Sequence, residues 1–381
     1  MTRVDSPISL RELNRATLAR QLVLERATMT PTAAVEHLIG LQAQEARPPF
    51  IGLWSRLQDV RREEIIRAIN ERTLVRATLM RGTIHLFSAA DYRAFRPVIQ
   101  PVLDRAMSVL GSRANGLDVE RVLPAAYALL AESPLPFNDI RDQLQAQFPE
   151  MNDRALGFAV RMLIPLVVIP AEHPWAYLAN SPFGLADAWI GPCAPPGQGF
   201  EELIRRYLGA FGPATVSDAQ TWLGISGLKS SFEALRPDLL VFRGERGKEY
   251  FDLPDAPRPP AVTPAPVRFL PDFDNLLLSH TDRSRVIADE HRGIVYQKGN
   301  LRLLPTILVD GEVAGLWRSE RKRKDAILTI TPFTPLSRVT RAELTDEGER
   351  LIRFIEEDAG THAVAFAEPL SQNEDRHRTR P

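Results

Sequence analysis

The feature that most limits how this chain can fold is a unit that recurs three times in its first two thirds. Each copy has two or three short amphipathic helices followed by two short strands joined by a tight turn. Because 381 residues exceed what one hydrophobic core usually contains, the repetition predicts several small packed units in a row.

The third copy shows the unit most clearly. Thr215 and Ser226 are suited to cap two helices that the apolar spacing predicts, and the sequence GERG between two apolar segments favours a hairpin. A helix pair followed by a hairpin is typical of a winged helix. The predicted elements are helices 215–222 and 226–236 and strands 239–243 and 248–252.

The other two copies follow the same order. In the second, Asn138 and Asn152 are suited to cap its helices, and in the first a turn at Arg81 and Gly82 joins the strands. The second copy is predicted to have helices 137–148 and 151–164 with strands 166–170 and 175–179, and the first to have helices 13–26, 31–41 and 61–71 with strands 74–80 and 83–88.

A proline-rich stretch at 253–269 separates these units from a β-rich region, in which Asp310 and Gly311 favour a hairpin turn and 346–357 favours a helix. The sequence therefore predicts an α+β fold: three tandem winged-helix units and a small β domain. The expected boundaries are 1–115, 116–190, 191–256 and 257–370, followed by a disordered tail at 371–381.

Charge and composition exclude several classes of protein. A formal net charge of -1 is not that of a globally basic nucleic-acid binder, so any phosphate contacts must come from local patches. No apolar run is long enough to cross a bilayer. Asp5 and Glu12 interrupt the stretch that a secretory signal would need, and Cys193 has no internal disulfide partner, so we expect a cytoplasmic protein.

Neither a metal nor another cofactor is expected. The 7 histidines are scattered without zinc-type spacing, and glycine-rich phosphate loops are absent.

Five segments, taken in chain order, resemble a known family: LNRATLARQLVLER, EHLIGLQAQEARPPFIGLWSRL, LVRATLMRGTIHLFSAADY, DNLLLSHTDRSRV and PTILVDGEVAGLW. They look like the bacterial winged-helix DNA glycosylases, most of all the AlkZ-type enzymes that make antibiotic producers resistant to azinomycin-like crosslinking agents. The resemblance implies a C-shaped clamp around double-stranded DNA. It also implies a monofunctional glycosylase that removes N7-alkylated or interstrand-crosslinked purines, and we expect a monomer.

In that family a glutamine, an apolar residue and a second polar residue are assigned to catalysis, and here they correspond to Gln42, Ala43 and Gln44. The pattern alone is unspecific, because it recurs at 143–145 and 145–147. A subgroup with wider substrates has aspartate at the place of Gln44, so the resemblance points to the branch that unhooks crosslinks.

The backbone around Gln42 and Gln44 decides whether both can serve one site. Residues two apart point about 200° away from each other in a helix but share a face in extended backbone. The two amides can therefore cooperate only near a helix end. Pro48 and Pro49 disfavour a helix that continues through this segment.

Neutral amides are suited to the expected reaction. A purine alkylated at N7 already carries a positive charge, so its departure needs no general acid. Carboxamide oxygens can orient a water and face the developing charge on the sugar, and we assign these roles to Gln42 and Gln44.

DNA contacts are expected from three basic patches. Glu320 and Asp325 dilute the positive charge of the run that contains Arg318, Lys322 and Arg323, and a charge run is often only a solvated loop. Arg81 is equally suited to be a plain turn residue. The candidates are Arg318, Lys322 and Arg323 after a hairpin, Arg283 and Arg285 in HTDRSR, and Arg81 and His85 in RGTIH.

Two rival classes stay open. A winged-helix transcription regulator would read bases with a recognition helix, but RALGFAVRML and LKSSFEALR have few polar residues for that purpose. A non-enzymatic scaffold would use its winged helices for protein contacts.

Overall fold

Helices and mostly antiparallel strands alternate along the chain in the computed structural model, which gives a mixed α+β fold. The structure describes residues 4–195, 199–245, 247–297, 299 and 301–370. Across these ranges, no helix is both long and apolar enough to reach through a bilayer. The tail predicted at 371–381 lies outside the described residues.

Side-chain caps start the first helices of the chain. The Ser9 hydroxyl accepts from the backbone of Glu12, whose carboxylate accepts from the Ser9 N–H in return, and Thr30 caps the next helix. The predicted helix at 31–41 ends at His37. The elements are β1 (Val4–Ile8), α1 (Leu10–Arg20), α2 (Pro31–His37), β2 (Leu41–Gln42), α3 (Pro48–Arg56), α4 (Arg62–Asn70), β3 (Leu74–Thr78), β4 (Ile84–Ser88), α5 (Ala89–Val98) and α6 (Gln100–Ala106), followed by a 3-10 segment (Met107–Ala114).

The middle of the chain confirms the predicted helices but not the predicted hairpin. Asn152 caps its helix as expected, whereas Asn138 lies inside one. The strand at 166 pairs with 183–185 instead of 175–179, because the proline-containing segment between them forms turns and bends, in which Tyr177 is buried and Leu178 is exposed. The elements are α7 (Val119–Glu132), α8 (Phe137–Gln147), α9 (Asp153–Leu163), β5 (Leu166–Val168), β6 (Phe183–Leu185) and α10 (Ala186–Ile190).

The third repeat contains the predicted helix pair and hairpin. Thr215 forms a capping box with Asp218, but Ser226 is not a cap, because the second helix begins after Leu228. The elements are α11 (Glu201–Phe211), α12 (Val216–Leu223), α13 (Lys229–Leu235), β7 (Leu240–Gly244) and β8 (Glu249–Asp252).

The C-terminal region is β-rich, as predicted, with more helix than expected. Asp310 and Gly311 have φ of 47° and 82° and form the predicted hairpin turn. The apolar segment NLLL, which lies in the region predicted to be β-rich, is helical, and Asp274 caps it. The elements are β9 (Arg268–Leu270), α14 (Asn275–Leu278), α15 (Asp289–Val295), β10 (Tyr296–Gln297), β11 (Arg302–Leu303), β12 (Thr306–Val309), β13 (Glu312–Lys322), β14 (Asp325–Pro332), α16 (Arg338–Ile355) and β15 (Thr361–Phe366).

The sheets join segments that are distant in sequence. The described strands form sheets in the orders β2-β4-β3-β5-β6, β1-β7-β8, β15-β14-β13-β12-β9 and β10-β11. The first of these combines strands of the first and second repeats, and β1 runs parallel to β7 of the third. The repeats are thus packed together rather than strung out separately.

A buried ion pair fixes the segments around β2. Arg56 on α3 donates to both carboxylate oxygens of Asp274 at 2.8 Å, and both side chains are buried. A buried bidentate pair of this kind costs several kcal/mol to break, about 3–5, because one charge would be left uncompensated. The pair holds the start of α14 against the first repeat, next to the end of β2.

Candidate active site

The site forms where β2 ends. Gly40 before it has φ of 80°, and a Cβ there would lie 2.6 Å from the ring of Phe87, so only glycine fits this turn. Gln42 lies opposite His85 of β4 in antiparallel register. On the other edge of β2, the Asn275 amide accepts from Gln42 N at 3.3 Å and donates to Gly40 O at 2.8 Å. The backbone of β2 is therefore held from both sides.

The two glutamines do not lie on a helix. Gln42 is the last residue of β2, Gln44 lies in the bend that follows, and Pro48 and Pro49 begin a new helix, α3. Prolines are tolerated there because the first helical N–H groups have no acceptor in any case. The backbone thus allows both amides to lie on one side.

Donors on the β3–β4 hairpin fix the orientation of both amides. The Gln42 Oε1 accepts from Arg81 Nη2 at 2.8 Å, and the Gln44 Oε1 accepts from Ile84 N at 3.2 Å. Because each partner is a donor, oxygen rather than nitrogen must occupy these positions. Gln42 is 8% exposed and Gln44 is exposed, so one lies at the base of the site and the other at its rim.

Arg81 lies at the turn of this hairpin, in left-handed backbone with φ of 56°. Its Nη1 donates to Trp222 O, near the C-terminus of α12, at 2.6 Å. Burial, with a smaller effect from the charge of Arg283, lowers the pKa of Arg81 to about 10. The guanidinium therefore stays charged at neutral pH.

His85, the partner of Gln42 on β4, is completely buried. Burial, and then the charge of Arg81, lowers the pKa of His85 to about 3, so the ring is neutral and its Nδ1 donates to Thr83 O at 3.0 Å. Its Nε2 is buried without a hydrogen-bond partner among the described residues. From the sequence, His85 was predicted to contact DNA. In this structure the ring is fully buried, so a phosphate cannot reach it.

Arg285 is also buried. It is 3% exposed, and its Nη1 donates to Thr17 Oγ1 and Pro213 O at 3.0 Å each. A direct DNA contact from Arg285 is therefore disfavoured, because its donors hold α1 to the third repeat. Arg283, two residues earlier, is only partly buried, and its guanidinium lies 4.3 Å from the centre of the Tyr296 ring.

The predicted patch of Arg318, Lys322 and Arg323 lies on the β13–β14 hairpin. The side chains of Arg318 and Lys322 are 69% and 77% exposed, and Arg323 is exposed at the tip. Within the same run, Arg321 is instead held by the Asp358 carboxylate. Arg47, at the start of α3, donates to Ser319 Oγ of this hairpin at 3.2 Å. That contact links the hairpin to the loop that carries Gln44.

Sequence reasoning missed several residues that shape the loop after β2. Arg76 on β3 donates to Ala43 O at 2.8 Å and to Gln44 O at 2.9 Å. The available signal was a charged residue inside the apolar strand LVRATLM. Such a residue, when buried, needs internal acceptors.

An acidic pair also borders the site. Arg302 bridges Glu45 at 3.0 Å and Asp272 at 3.2 Å. Burial, followed by the negative charge of Glu45, raises the pKa of Asp272. No signal in the sequence joined these positions, since 227 or more residues separate Glu45 from the other two. Elsewhere too, the described part of the chain has no cluster of three or more side chains suited to hold a metal.

Comparisons with known proteins identify a family and a similar fold. The sequence model of the family described as DNA glycosylase AlkZ-like matches residues 35–354. The chain is 25% identical over 358 residues to a Streptomyces sahachiroi protein named interstrand DNA cross-link repair glycosylase, covering 88% of this chain and 94% of the relative. The structure of Streptomyces sahachiroi DNA glycosylase AlkZ has a similar fold, with a TM-score of 0.76 and 21% identity, over 95% of this chain and 100% of that one.

Proposed function

Because this chain belongs to the AlkZ-like DNA glycosylase family, we propose that it hydrolyses the N-glycosidic bond of N7-alkylated purines in double-stranded DNA, including those in interstrand crosslinks. The name of the Streptomyces sahachiroi relative supports crosslinks as substrates. Resistance to a DNA-alkylating natural product, in the cytoplasm, is the corresponding biological role. The matches to glycosylases favour an enzyme over a transcription regulator.

The observation that carries this proposal is the placement of Gln42 and Gln44 along one hairpin. Each amide oxygen has one donor and retains a second lone pair, and each amide NH2 points away from that donor. The pair can therefore both accept from and donate to a water and the sugar.

The reaction balances without a general acid. The bond between C1′ and the purine N9 breaks, and its electron pair neutralises the positive charge of the alkylated base. The sugar becomes oxocarbenium-like, a water oxygen bonds to C1′, and the proton of that water leaves to solvent. Carbonyl dipoles fixed in advance near C1′ stabilise the developing charge.

The proposed enzyme is a monomer in which three winged-helix units and a β domain form a C-shaped clamp around the duplex, with the boundaries predicted above. The helix pairs that precede the β3–β4 and β7–β8 hairpins support this arrangement. We assign phosphate contacts to Arg283, Arg318, Lys322 and Arg323, which retain exposed surface.

Single-turnover release of N7-methylguanine from a duplex tests the proposal. Gln42→Ala or Gln44→Ala should slow release on the order of 100-fold while DNA affinity and melting temperature stay nearly unchanged. Gln44→Glu should retain activity, because a carboxylate can still accept from Ile84 N. Wild-type rates in both alanine variants would contradict the assignment.

Gln143→Ala is the matched control, because Gln143 is exposed on α8 and belongs to the same sequence pattern. Gln145, which belongs to the same pattern, is not a suitable second control. Its Nε2 donates to Phe148 O and Pro149 O at 3.3 Å each, so replacing it would disturb the end of the helix.

A further inference from the structure

Arg81 connects the base of the site to the third repeat. Its Nη2 donates to Gln42 Oε1 at 2.8 Å, and its Nη1 donates to Trp222 O at 2.6 Å. The donors of a guanidinium lie in one rigid plane, so the two bonds together fix the position of the Gln42 amide relative to α12. The bond to Gln42 is also charge-assisted, since Arg81 is protonated at neutral pH.

Gly224, the residue that ends α12, also packs against the Arg81 turn. It has φ of 81°, and a Cβ there would lie 3.0 Å from Arg81 Cα and 3.3 Å from Arg81 N. The backbone of the third repeat therefore packs directly against the turn, and the Arg81 side chain has little freedom to move.

A glutamine amide without such a donor can rotate and exchange its oxygen and nitrogen. Gln42 faces the substrate in the proposed reaction, and the exchange would present NH2 where the oxygen lies. Small misplacements of groups that orient a reactant can cost up to about 100-fold in rate. The orientation of Gln42 therefore needs a fixed donor.

From this geometry we infer that Arg81 is a positioning residue rather than a phosphate contact: it sets the orientation of Gln42 and makes it depend on the packing of α12 against the β3–β4 hairpin. The inference rests on the proposed function. It replaces the expectation that Arg81 binds DNA through the backbone phosphates.

Gly224→Ala and Gly227→Ala form a matched pair that tests the inference without changing any charge. Both glycines have positive φ, 81° and 93°, so both substitutions strain the same turn. At Gly227 a Cβ would meet no atom of the described residues within 4 Å, whereas at Gly224 it would press on Arg81.

Gly224→Ala should slow single-turnover release of N7-methylguanine by at least about tenfold more than Gly227→Ala, up to the order of 100-fold. Affinity for undamaged duplex should match in the two variants. Arg81→Ala should show the same separation of rate from affinity. Equal release rates in the two glycine variants, or weaker binding of undamaged duplex by Arg81→Ala at an unchanged rate, would overturn the inference.

A second measurement needs no substrate. The Nε2 proton pair of Gln42, assigned by its loss in Gln42→Ala, should shift in nitrogen-15 spectra of Gly224→Ala and keep its position in Gly227→Ala. If the wild type releases no base, the proposed function fails, and this signal still decides the role of Arg81. An unshifted signal in Gly224→Ala would refute the positioning role even in an active enzyme.

Discussion

Two hairpins of this molecule have the same local design and opposite surroundings. The β3–β4 hairpin turns at Arg81 with φ of 56°, and the β13–β14 hairpin turns at Arg323 with φ of 58°. Each therefore presents an arginine in left-handed backbone at its tip. In sequence, both look like basic turns suited to phosphates.

Neighbouring strands and helices make the two hairpins different. β2 and β5 flank β3–β4 on both sides, and α12 closes its tip. By contrast, β12 pairs with β13 only as far as Leu316, so the outer part of β13 projects beyond its neighbour on that side, while β15 pairs with β14 as far as Asp325. Arg323 is exposed, whereas Arg81 is partly buried and its guanidinium donates to Gln42 and Trp222. A basic turn is thus a candidate DNA contact only where packing does not engage its guanidinium.

The largest expected effect is on DNA binding by the projecting hairpin. Lys322→Glu combined with Arg323→Glu should weaken binding of damaged and undamaged duplex alike, by on the order of tenfold or more, because phosphate contacts position without specifying. The slope of log affinity against log salt should fall by about 2. Fluorescence anisotropy over a salt series measures both quantities.

Arg338→Glu is the control for this experiment. Arg338 is exposed at the start of α16, beyond the end of β14 that lies away from the tip. It should leave affinity and salt slope close to wild type. If the tip variant also binds like wild type, the projecting hairpin is only solvated, and the contrast between the hairpins disappears.

For the β3–β4 hairpin, the expected effect is on how the free energy of unfolding depends on pH. The pKa of His85 is about 3 in the folded protein, against 6.5 for an unperturbed histidine, so only the unfolded chain takes up this proton in between. The contribution of the neutral His85 to the free energy of unfolding is complete above about pH 6.5. It is lost as pH falls, at about 1.4 kcal/mol per pH unit. His85→Gln should flatten the decline of the free energy of unfolding by that slope.

Urea unfolding at pH 7, 6 and 5 measures this effect. The tip variant with Lys322→Glu and Arg323→Glu serves as the comparison and should keep the slope of the wild type. His280, whose pKa is also lowered to about 3 by burial, should supply a similar slope that persists in His85→Gln. Parallel curves for the wild type and His85→Gln would show that His85 is not held neutral by the fold.

The smallest effect is expected at Arg321, which lies in the same basic run as the tip but pairs with Asp358 and Glu356. Because its charge is already used within the protein, Arg321→Ala should leave the salt slope of DNA binding unchanged. A slope reduced as much as for a tip residue would mean that the ion pair opens when DNA binds.

Local signals in the sequence predicted much of the secondary structure. Thr215 and Asn152 cap the helices that they were predicted to cap, and Asp310 with Gly311 forms the predicted turn. The prediction was wrong for strand 175–179, where Ala176 and Tyr177 are buried without strand pairing and Leu178 is exposed. Apolar spacing reports burial but does not identify the partner strand.

The candidate site was predictable only in part. The sequence alone indicated that Gln42 and Gln44 need extended or turn backbone to cooperate, and the chain has that backbone there. It gave no sign of Asn275 or Asp272, because these residues reach the site through contacts between distant segments. For Arg76 it offered only a charged residue within an apolar strand, without its acceptors.

By itself, the sequence determined several helices and turns and the need for extended or turn backbone at the two glutamines, since caps, turn residues and apolar periodicity act over a few residues. Only the tertiary structure decided which arginines face solvent. Arg81 and Arg323 have nearly the same backbone at the same kind of turn, and nothing within a few residues of either separates them. What separates them is α12, about 140 residues away in the chain from Arg81, and the missing partner strand beside the outer half of β13 among the described residues. Burial depends on such long-range packing, and burial decides whether a charge serves the interior or the DNA.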